Sequence, residues 1–281
     1  MFARWRAAHE SHERACQRIE NSLGRVPDVA GQKLLRDTLI TGGNRREFLR
    51  TALTIAAVGS VGGWVYNRYT PVTGLFADYH TATSERRTER LRDGTMLTLN
   101  ARTGINIEFN EDSRNISLMS GQIYIDSPPA SSPVVVTTGD GSLSFYGGKF
   151  TASIRDGVTR FAALNQSGRV KSPRSILYKL KAGGGVFVNG EGLSPFLISS
   201  NSETAWTNGF FEINDQPLNI LIDALRDYRS GIIRLSPEAA KLRVSGIFPL
   251  DNSDYALESL AQTLPIVMTR TTGYWVSIST V

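Results

Sequence analysis

An uncharged stretch of 17 residues, from Thr51 to Asn67, lies inside the 281-residue chain, with Arg50 before it and Arg68 after it. It has no polar face of the kind that a surface helix turns to water. Its length is at the lower limit of the roughly 17–25 residues that a membrane-spanning helix needs. The stretch therefore predicts one transmembrane helix. A buried core helix is the alternative, because shorter apolar runs often form one.

The charges on either side of the stretch predict its orientation. Residues 1–50 hold ten Arg and Lys against six Asp and Glu, a surplus of four, whereas the net charge of the whole chain is +5. The cytoplasmic flanks of membrane helices carry the excess of positive charge. We therefore expect a single-pass inner-membrane protein with its N-terminus in the cytoplasm and its C-terminus in the periplasm.

The residues immediately before the stretch contain an arginine pair. Arg45 and Arg46, followed by Phe48 and Leu49, look like a twin-arginine export signal. Two arginines beside a membrane span are also an ordinary positive flank, so both interpretations stay open. Residues 45–68 form the flank and the transmembrane helix in the predicted organisation.

The composition offers little for catalysis or metal binding. Cys16 is the only cysteine, and the three histidines, His9, His12 and His80, do not follow a metal-binding spacing. No serine stands in the Gly-x-Ser-x-Gly turn that holds the nucleophile of many hydrolases. We expect a protein that is not an enzyme, with no catalytic residues, no cofactor, no metal and no direct nucleic-acid partner.

Residues 1–44 predict a short N-terminal helical segment. Trp5, Ile19 and Leu23 are among the apolar residues that recur there at roughly helical intervals. A segment this small cannot bury its apolar face alone. We expect it either to lie solvated beside the membrane or to bind a partner through Trp5, Ile19 and Leu23.

Residues 75–200 predict an all-β domain built as a roll or solenoid of short strands. Alternating apolar and polar residues mark strands at 96–99, 105–109, 116–119, 123–125 and 134–136. Asp-Gly pairs at 93–94, 140–141 and 156–157 are turn signals between such runs. Several short, closely spaced strands are typical of all-β folds.

Residues 205–281 predict a small α+β domain in the order β-α-β-β-α-β-β. Strands are expected at 210–213, 232–235, 242–250, 266–269 and 274–278, with helices opening near Asp215 and near Asn252. Trp206 and Trp275 are expected in the core, as large aromatic residues usually are. Asp251 and Asp254 are expected to cap the second helix or to be solvated there.

Several dispersed motifs resemble the FecR family, in the family's order. They lie at residues 2–7, 77–83, 85–87, 91–100, 120–125, 205–209, 244–250 and 274–276. The resemblance covers nearly the whole chain, and the ordered set is far more specific than any one motif.

The resemblance implies a single-span inner-membrane regulator of an extracytoplasmic-function sigma factor. Its cytoplasmic helices would hold the sigma factor. Its periplasmic part would sense a TonB-dependent outer-membrane siderophore transporter through the N-terminal signalling domain of that transporter. The C-terminal module would be similar to the secretin/TonB short N-terminal domain. We expect the transporter contact on strand 242–250, through Val244, Gly246 and Phe248, by addition of a strand at a free edge.

One departure concerns the N-terminus. The family's helical domain usually begins further upstream, with a further helix and tryptophan, whereas Met1 here adjoins the first motif. We expect either an upstream start or a truncated sigma-binding segment. An exported, membrane-anchored, β-rich envelope-binding protein without a regulatory role is the alternative function.

Overall fold

Strands dominate the first part of the computed structural model, which describes residues 77–110, 114–272 and 274–281. Thirteen of them form one large sheet system. They are β1 Tyr79–His80, β2 Arg87–Arg90, β3 Met96–Leu99, β4 Gly104–Phe109, β5 Arg114–Ser127, β6 Val134–Thr138, β7 Gly141–Phe145, β8 Gly148–Arg155, β9 Val158–Ala163, β10 Gly168–Lys171, β11 Leu177–Leu180, β12 Gly184–Val188 and β13 Leu193–Leu197. The prediction of a β-rich fold built from short strands is confirmed.

The predicted N-terminal features lie outside the described residues. These are the helical segment with Trp5, Ile19 and Leu23, the export signal with Arg45, Arg46, Phe48 and Leu49, and the span at 51–67. Within the described ranges, every helix is too short or too polar to cross a lipid bilayer.

β5 is the element that holds the sheet system together. It runs for 14 residues, so the strands expected at 116–119 and 123–125 are one continuous strand. Its first half pairs with β4 and β6, and its second half pairs with β3 and β8. At Gly121 the backbone has a left-handed φ of +85°, and a Cβ atom there would lie 2.6 Å from Thr103 Cα. Glycine adopts this conformation without steric cost, and the buried positions of β5 change from even to odd numbers where the strand changes partners.

The core of this region lies between the sheet faces. Phe145 and Phe150 stack with their ring centroids 4.0 Å apart, and Phe161 is fully buried with them. Burying a ring of this size contributes about 2–3 kcal/mol relative to leaving it exposed. The buried side chains fall on alternate positions within each half of β5 and along β6, which is the period-2 pattern of the sequence.

The C-terminal module has its main strands and helices in the predicted order, with three further short helical elements. Its elements are α1 Ser200–Thr204, a 3₁₀ turn Ala205–Asn208, β14 Phe210–Pro217, α2 Leu218–Asp227, β15 Ile232–Leu235, α3 Pro237–Ala240, β16 Arg243–Pro249, α4 Ser253–Thr263, β17 Ile266–Thr272 and β18 Trp275–Thr280. β14 and β16 pair antiparallel, while β18 lies between β15 and β17. The buried faces of α2 and α4 form the core with these sheets.

The two tryptophans of this module differ in environment. Trp206, in the 3₁₀ turn, is only 4% exposed and belongs to the core, as expected. Trp275, at the start of β18, is 38% exposed and its indole N–H donates to Ser277 Oγ at 3.0 Å. The expectation that Trp275 is buried is wrong, because it falls on the outward-facing side of β18 while Val276 faces the core.

Candidate interaction site at a free strand edge

β16 offers an open edge for a partner. It pairs with β14 along one side, and no other strand of residues 77–110, 114–272 and 274–281 pairs with its second side. Such an edge presents unpaired main-chain N–H and C=O groups. An added strand from another protein can satisfy these groups.

The three predicted contact residues, Val244, Gly246 and Phe248, fall on alternate positions and therefore on one face of this strand. Val244 and Phe248 are buried in the core of the module, so their side chains support the strand. Gly246 lies between them with φ at +154°, and a Cβ atom there would lie 3.1 Å from the Phe248 ring. The exposed apolar side chain is Ile247, which is 67% accessible. The exposure of Ile247 could have been predicted from the sequence. Side chains alternate between the two faces of a strand, and Ile247 falls on the opposite face from Val244 and Phe248.

A bulge in β14 fixes the geometry of the pair. Asp215 has a left-handed φ of +45°, and the register shifts between Ile213 and Gln216. The Arg243 guanidinium donates to both Asp215 carboxylate oxygens, at 2.9 and 2.8 Å. The Asp215 N–H donates to Ser245 Oγ at 2.8 Å. Two residues of β16 thus hold the bulged segment, which adds local twist to the sheet.

The chain leaving β16 is tied to the β-rich region. Asp251 lies two residues beyond the strand and forms a bidentate ion pair with Arg86. The two guanidinium nitrogens of Arg86 donate to Asp251 Oδ1 and Oδ2 at 2.7 and 2.8 Å. These hydrogen bonds from Arg86 lower the pKa of Asp251 below its ordinary value. They also raise the pKa of Arg86, which lies 5.4 Å from the centre of the Tyr228 ring. The Arg86 guanidinium therefore makes both a cation–π contact with Tyr228 and an ion pair with Asp251.

A second connection lies beside the first. The Tyr228 hydroxyl, at the end of α2, donates to Asn100 Oδ1, and Asn100 Nδ2 donates to Gln122 Oε1 at 2.9 Å. Burial raises the pKa of Tyr228 to about 12, so the hydroxyl stays protonated and able to donate. Ala101 packs into the core of the C-terminal module here. We call this set the junction: Arg86, Asp251, Tyr228, Asn100 and Ala101.

The linker between the two regions is also anchored. Glu203, in α1, is buried and forms an ion pair with Arg160 of β9. Its carboxylate also accepts from Thr151 Oγ1 of β8 at 2.5 Å. A buried carboxylate needs such partners to offset its desolvation. The sequence gives no local signal for this contact, since the partners are more than 40 residues apart.

The two carboxylates predicted near the start of α4 have ion-pair partners. Asp251 pairs with Arg86, and Asp254 pairs with Arg229 at 2.6 Å, while Asn252 Oδ1 caps α4 by accepting from the Tyr255 N–H. The side-chain cap of α4 is thus Asn252, while Asp254 lies in the first turn of the helix and Asp251 and Asp254 are both exposed, as the alternative expectation had it. Among the described residues, no three His, Cys, Asp or Glu side chains are grouped so that they can hold a metal ion. The site is suited to recognition through a strand edge.

Comparison with known proteins agrees with the fold. Residues 77–171 match the family model described as FecR protein. Two crystal structures of a candidate anti-sigma factor from Parabacteroides distasonis ATCC 8503 share the fold, with TM-scores of 0.64 and 0.63 at 18% and 19% sequence identity. Each comparison covers 72% of this chain and 98% of the other. No curated protein sequence matches this chain.

Proposed function

This chain carries a FecR-family domain over residues 77–171, and from that premise we propose that it is an inner-membrane regulator of an extracytoplasmic-function sigma factor. In this proposal it relays a signal from a TonB-dependent outer-membrane siderophore transporter to transcription. The family match is the observation that carries the proposal. The fold shared with a candidate anti-sigma factor supports it.

The proposed topology follows the charge pattern of the sequence. Residues 1–44 lie in the cytoplasm, the uncharged stretch 51–67 spans the inner membrane, and the described residues lie in the periplasm. Arg45 and Arg46 direct export, and Phe48 and Leu49 complete the signal.

Replacing the arginine pair tests the export route. The double substitution Arg45→Lys with Arg46→Lys keeps the positive flank and removes the twin-arginine signal. We expect it to lower the amount of periplasmic C-terminal domain, measured by protease accessibility in spheroplasts. The same double change at Arg4 and Arg6 is the control and should have no effect. Wild-type levels in the Arg45/Arg46 variant would exclude a twin-arginine route.

Binding of the sigma factor tests the central claim. The full-length chain should co-purify with the sigma factor encoded nearest to its gene, through Trp5, Ile19 and Leu23. Trp5→Ala removes a large aromatic anchor, and loss of such an anchor typically weakens binding about tenfold or more. Trp5→Phe, which keeps an aromatic ring, should retain more of the affinity. Unchanged binding by the Trp5→Ala chain would contradict this contact.

The two candidate functions are separated by the same pull-down. A chain extended upstream to the next in-frame start is measured in parallel with the present one. Binding by either form supports the regulator, and binding by the extended form alone assigns the sigma contact to a longer N-terminus. Binding by neither favours the exported envelope-binding protein.

On the periplasmic side, the open edge of β16 supports the proposed transporter contact. The signalling domain of the transporter would add a strand there, with the main chain of residues 243–249 supplying hydrogen bonds. Val244 and Phe248 hold the strand in place from the core, and Gly246 keeps its backbone conformation. Ile247 is the side chain available to pack against the added strand.

A further inference from the structure

A strongly basic hairpin lies at one end of the large sheet. Residues 168–181, which form β10, a turn and β11, contain Arg169, Lys171, Arg174, Lys179 and Lys181 and no Asp or Glu. We call residues 168–181 the basic hairpin. Its five positive charges equal the formal net charge of the entire chain, +5. The net charge of the whole C-terminal part does not reveal this cluster, because acidic residues elsewhere in that part offset its positive charges.

The strand register collects these charges on one face. Arg169 is paired across the hairpin with Lys179, and Lys171 with Leu177. Directly opposed residues point to the same face of a sheet. All four side chains are exposed, whereas Val170, between the two β10 cations, is buried. The outward face of the basic hairpin therefore brings Arg169, Lys171 and Lys179 together, with Leu177 beside them.

None of these five cations has a carboxylate partner among the described residues. Elsewhere in those residues at least ten Arg and Lys side chains form ion pairs with Asp or Glu. These are Arg86, Arg87, Arg114, Lys149, Arg155, Arg160, Arg226, Arg229, Arg243 and Arg270. The neighbouring strand β7 presents Ser142 and Ser144 opposite Lys171 and Arg169. The positive charge of the basic hairpin is thus left for a partner outside the described fold.

The tip of the basic hairpin adds exposed apolar side chains. Ile176 is 49% exposed and Leu177 is 72% exposed. The turn that presents them is held by its own hydrogen bonds, with the Ser172 N–H donating to the Ile176 carbonyl at 3.0 Å. Apolar residues ringed by Lys and Arg are typical of surfaces that lie at a membrane interface.

Protection of the sheet edge explains only part of this pattern. Lysines on an edge strand discourage pairing with other chains, which accounts for Lys179 on β11. β10 is an interior strand, paired with both β7 and β11, and needs no such protection. Exposed Ile176 and Leu177 work against solubility at an edge.

In the proposed topology the described fold begins close to the membrane. The uncharged stretch ends at Asn67, and the described fold begins at Ala77, ten residues later. Ten fully extended residues reach at most about 35 Å. An anionic bilayer beside the fold carries negative charge that complements the positive charge of the basic hairpin.

We propose that the basic hairpin docks on an anionic phospholipid surface, with its Arg and Lys side chains on headgroup phosphates and Ile176 and Leu177 at the acyl boundary. This inference rests on the membrane anchor of the proposed function. Charge attraction to anionic lipid and burial of apolar area both contribute to binding of this kind. Docking would fix the orientation of the periplasmic part above the bilayer.

Lipid quenching of a fluorophore on the tip tests this contact. The full-length chain carries Cys16→Ser, which leaves no other thiol, and Ile176→Cys, labelled with a small fluorophore. It is reconstituted into vesicles of phosphatidylcholine alone or with an equal part of phosphatidylglycerol, each with brominated acyl chains as quencher. We expect quenching in the anionic vesicles and loss of most of it in about 1 M salt, where the Debye length is about 3 Å.

Two controls complete the design. A label at Gly190→Cys, in the open turn between β12 and β13, reports a site away from the basic hairpin and should stay unquenched. Lys171→Glu with Lys179→Glu should abolish quenching at position 176. Arg234→Glu with Lys241→Glu changes the net charge equally on the C-terminal module and should leave quenching in place.

The outcomes separate this inference from the membrane anchor. Carbonate extraction of the same vesicles reports whether the chain is integral. An integral chain whose tip label stays unquenched overturns the docking inference and points to an acidic protein as the partner. Equal quenching at position 190, or in neutral vesicles, also overturns it. If the tip label is quenched but carbonate extracts the chain from the vesicles, the docking inference is supported and the proposed membrane span is contradicted.

Discussion

At the scale of single residues, Gly209 is a constrained position that contacts the junction. It ends the 3₁₀ turn with a left-handed φ of +86°, and a Cβ atom there would lie 2.6 Å from Asp251 Oδ2. Gly209→Ala should therefore lower the free energy of unfolding by about 1–2 kcal/mol from backbone strain. It should also displace the carboxylate from Arg86. Urea unfolding followed by circular dichroism measures the effect.

A second glycine provides the control for this substitution. Gly139 lies in a turn where a Cβ atom would meet no heavy atom within 4 Å and where φ is not left-handed. Gly139→Ala should leave the unfolding free energy within about 1 kcal/mol of wild type. An equal loss in both variants would contradict the assignment of strain to Gly209.

At the scale of elements, β16 combines a buried face that holds it in the module with an open edge. Ile247→Asp places a charge on the exposed face without touching Val244 or Phe248. It should weaken binding of the transporter's signalling domain about tenfold, which corresponds to about 1.4 kcal/mol. Isothermal titration with the full-length chain measures this affinity.

β17 supplies the matched control, because it is an edge strand of the other sheet of the module. Its exposed residue Val267 faces outward as Ile247 does. Val267→Asp should leave the affinity for the signalling domain unchanged. Loss of binding in this variant alone would move the contact from β16 to β17.

At the scale of the whole molecule, the junction ties the β-rich region to the C-terminal module. The pKa of Asp251 is lowered in the folded state, so its ion pair with Arg86 stabilises the fold at pH values above the ordinary carboxyl value of 3.8. This stabilisation should be lost as the pH falls through the folded pKa, below 3.8. Asp251 is largely exposed, which limits the contribution to less than about 1 kcal/mol.

The variant Asp251→Asn tests this linkage. Its unfolding free energy should lie below that of wild type at pH 7, and the difference should shrink as the pH falls below 3.8. Glu238→Gln, at an exposed carboxylate without an ion pair among the described residues, is the control and should match wild type throughout. A difference for Asp251→Asn that is independent of pH would assign its effect to packing.

The sequence by itself determined the β-rich class of the first region and the order of the main strands and helices of the C-terminal module. The strand at 232–235 was placed to the residue, and the helix capped at Asn252 begins one residue later. Alternation, helical period and cap residues are properties of a few neighbouring residues, so they can be identified without knowing the fold. The same local signals predicted the strand at 242–250, which is β16 and carries the candidate edge.

Only the tertiary structure decided which residues meet. Whether the chain turns or continues at Gly121 depends on the strands that pair with it, and Trp275 is exposed because of the face on which it falls. Arg86 and Asp251 are 165 positions apart, and no pattern in either segment identifies the other. The five cations of the basic hairpin were likewise visible in the sequence, but their lack of acidic neighbours was not. Ion pairing and exposure depend on distances between remote segments, and packing of the whole chain sets those distances.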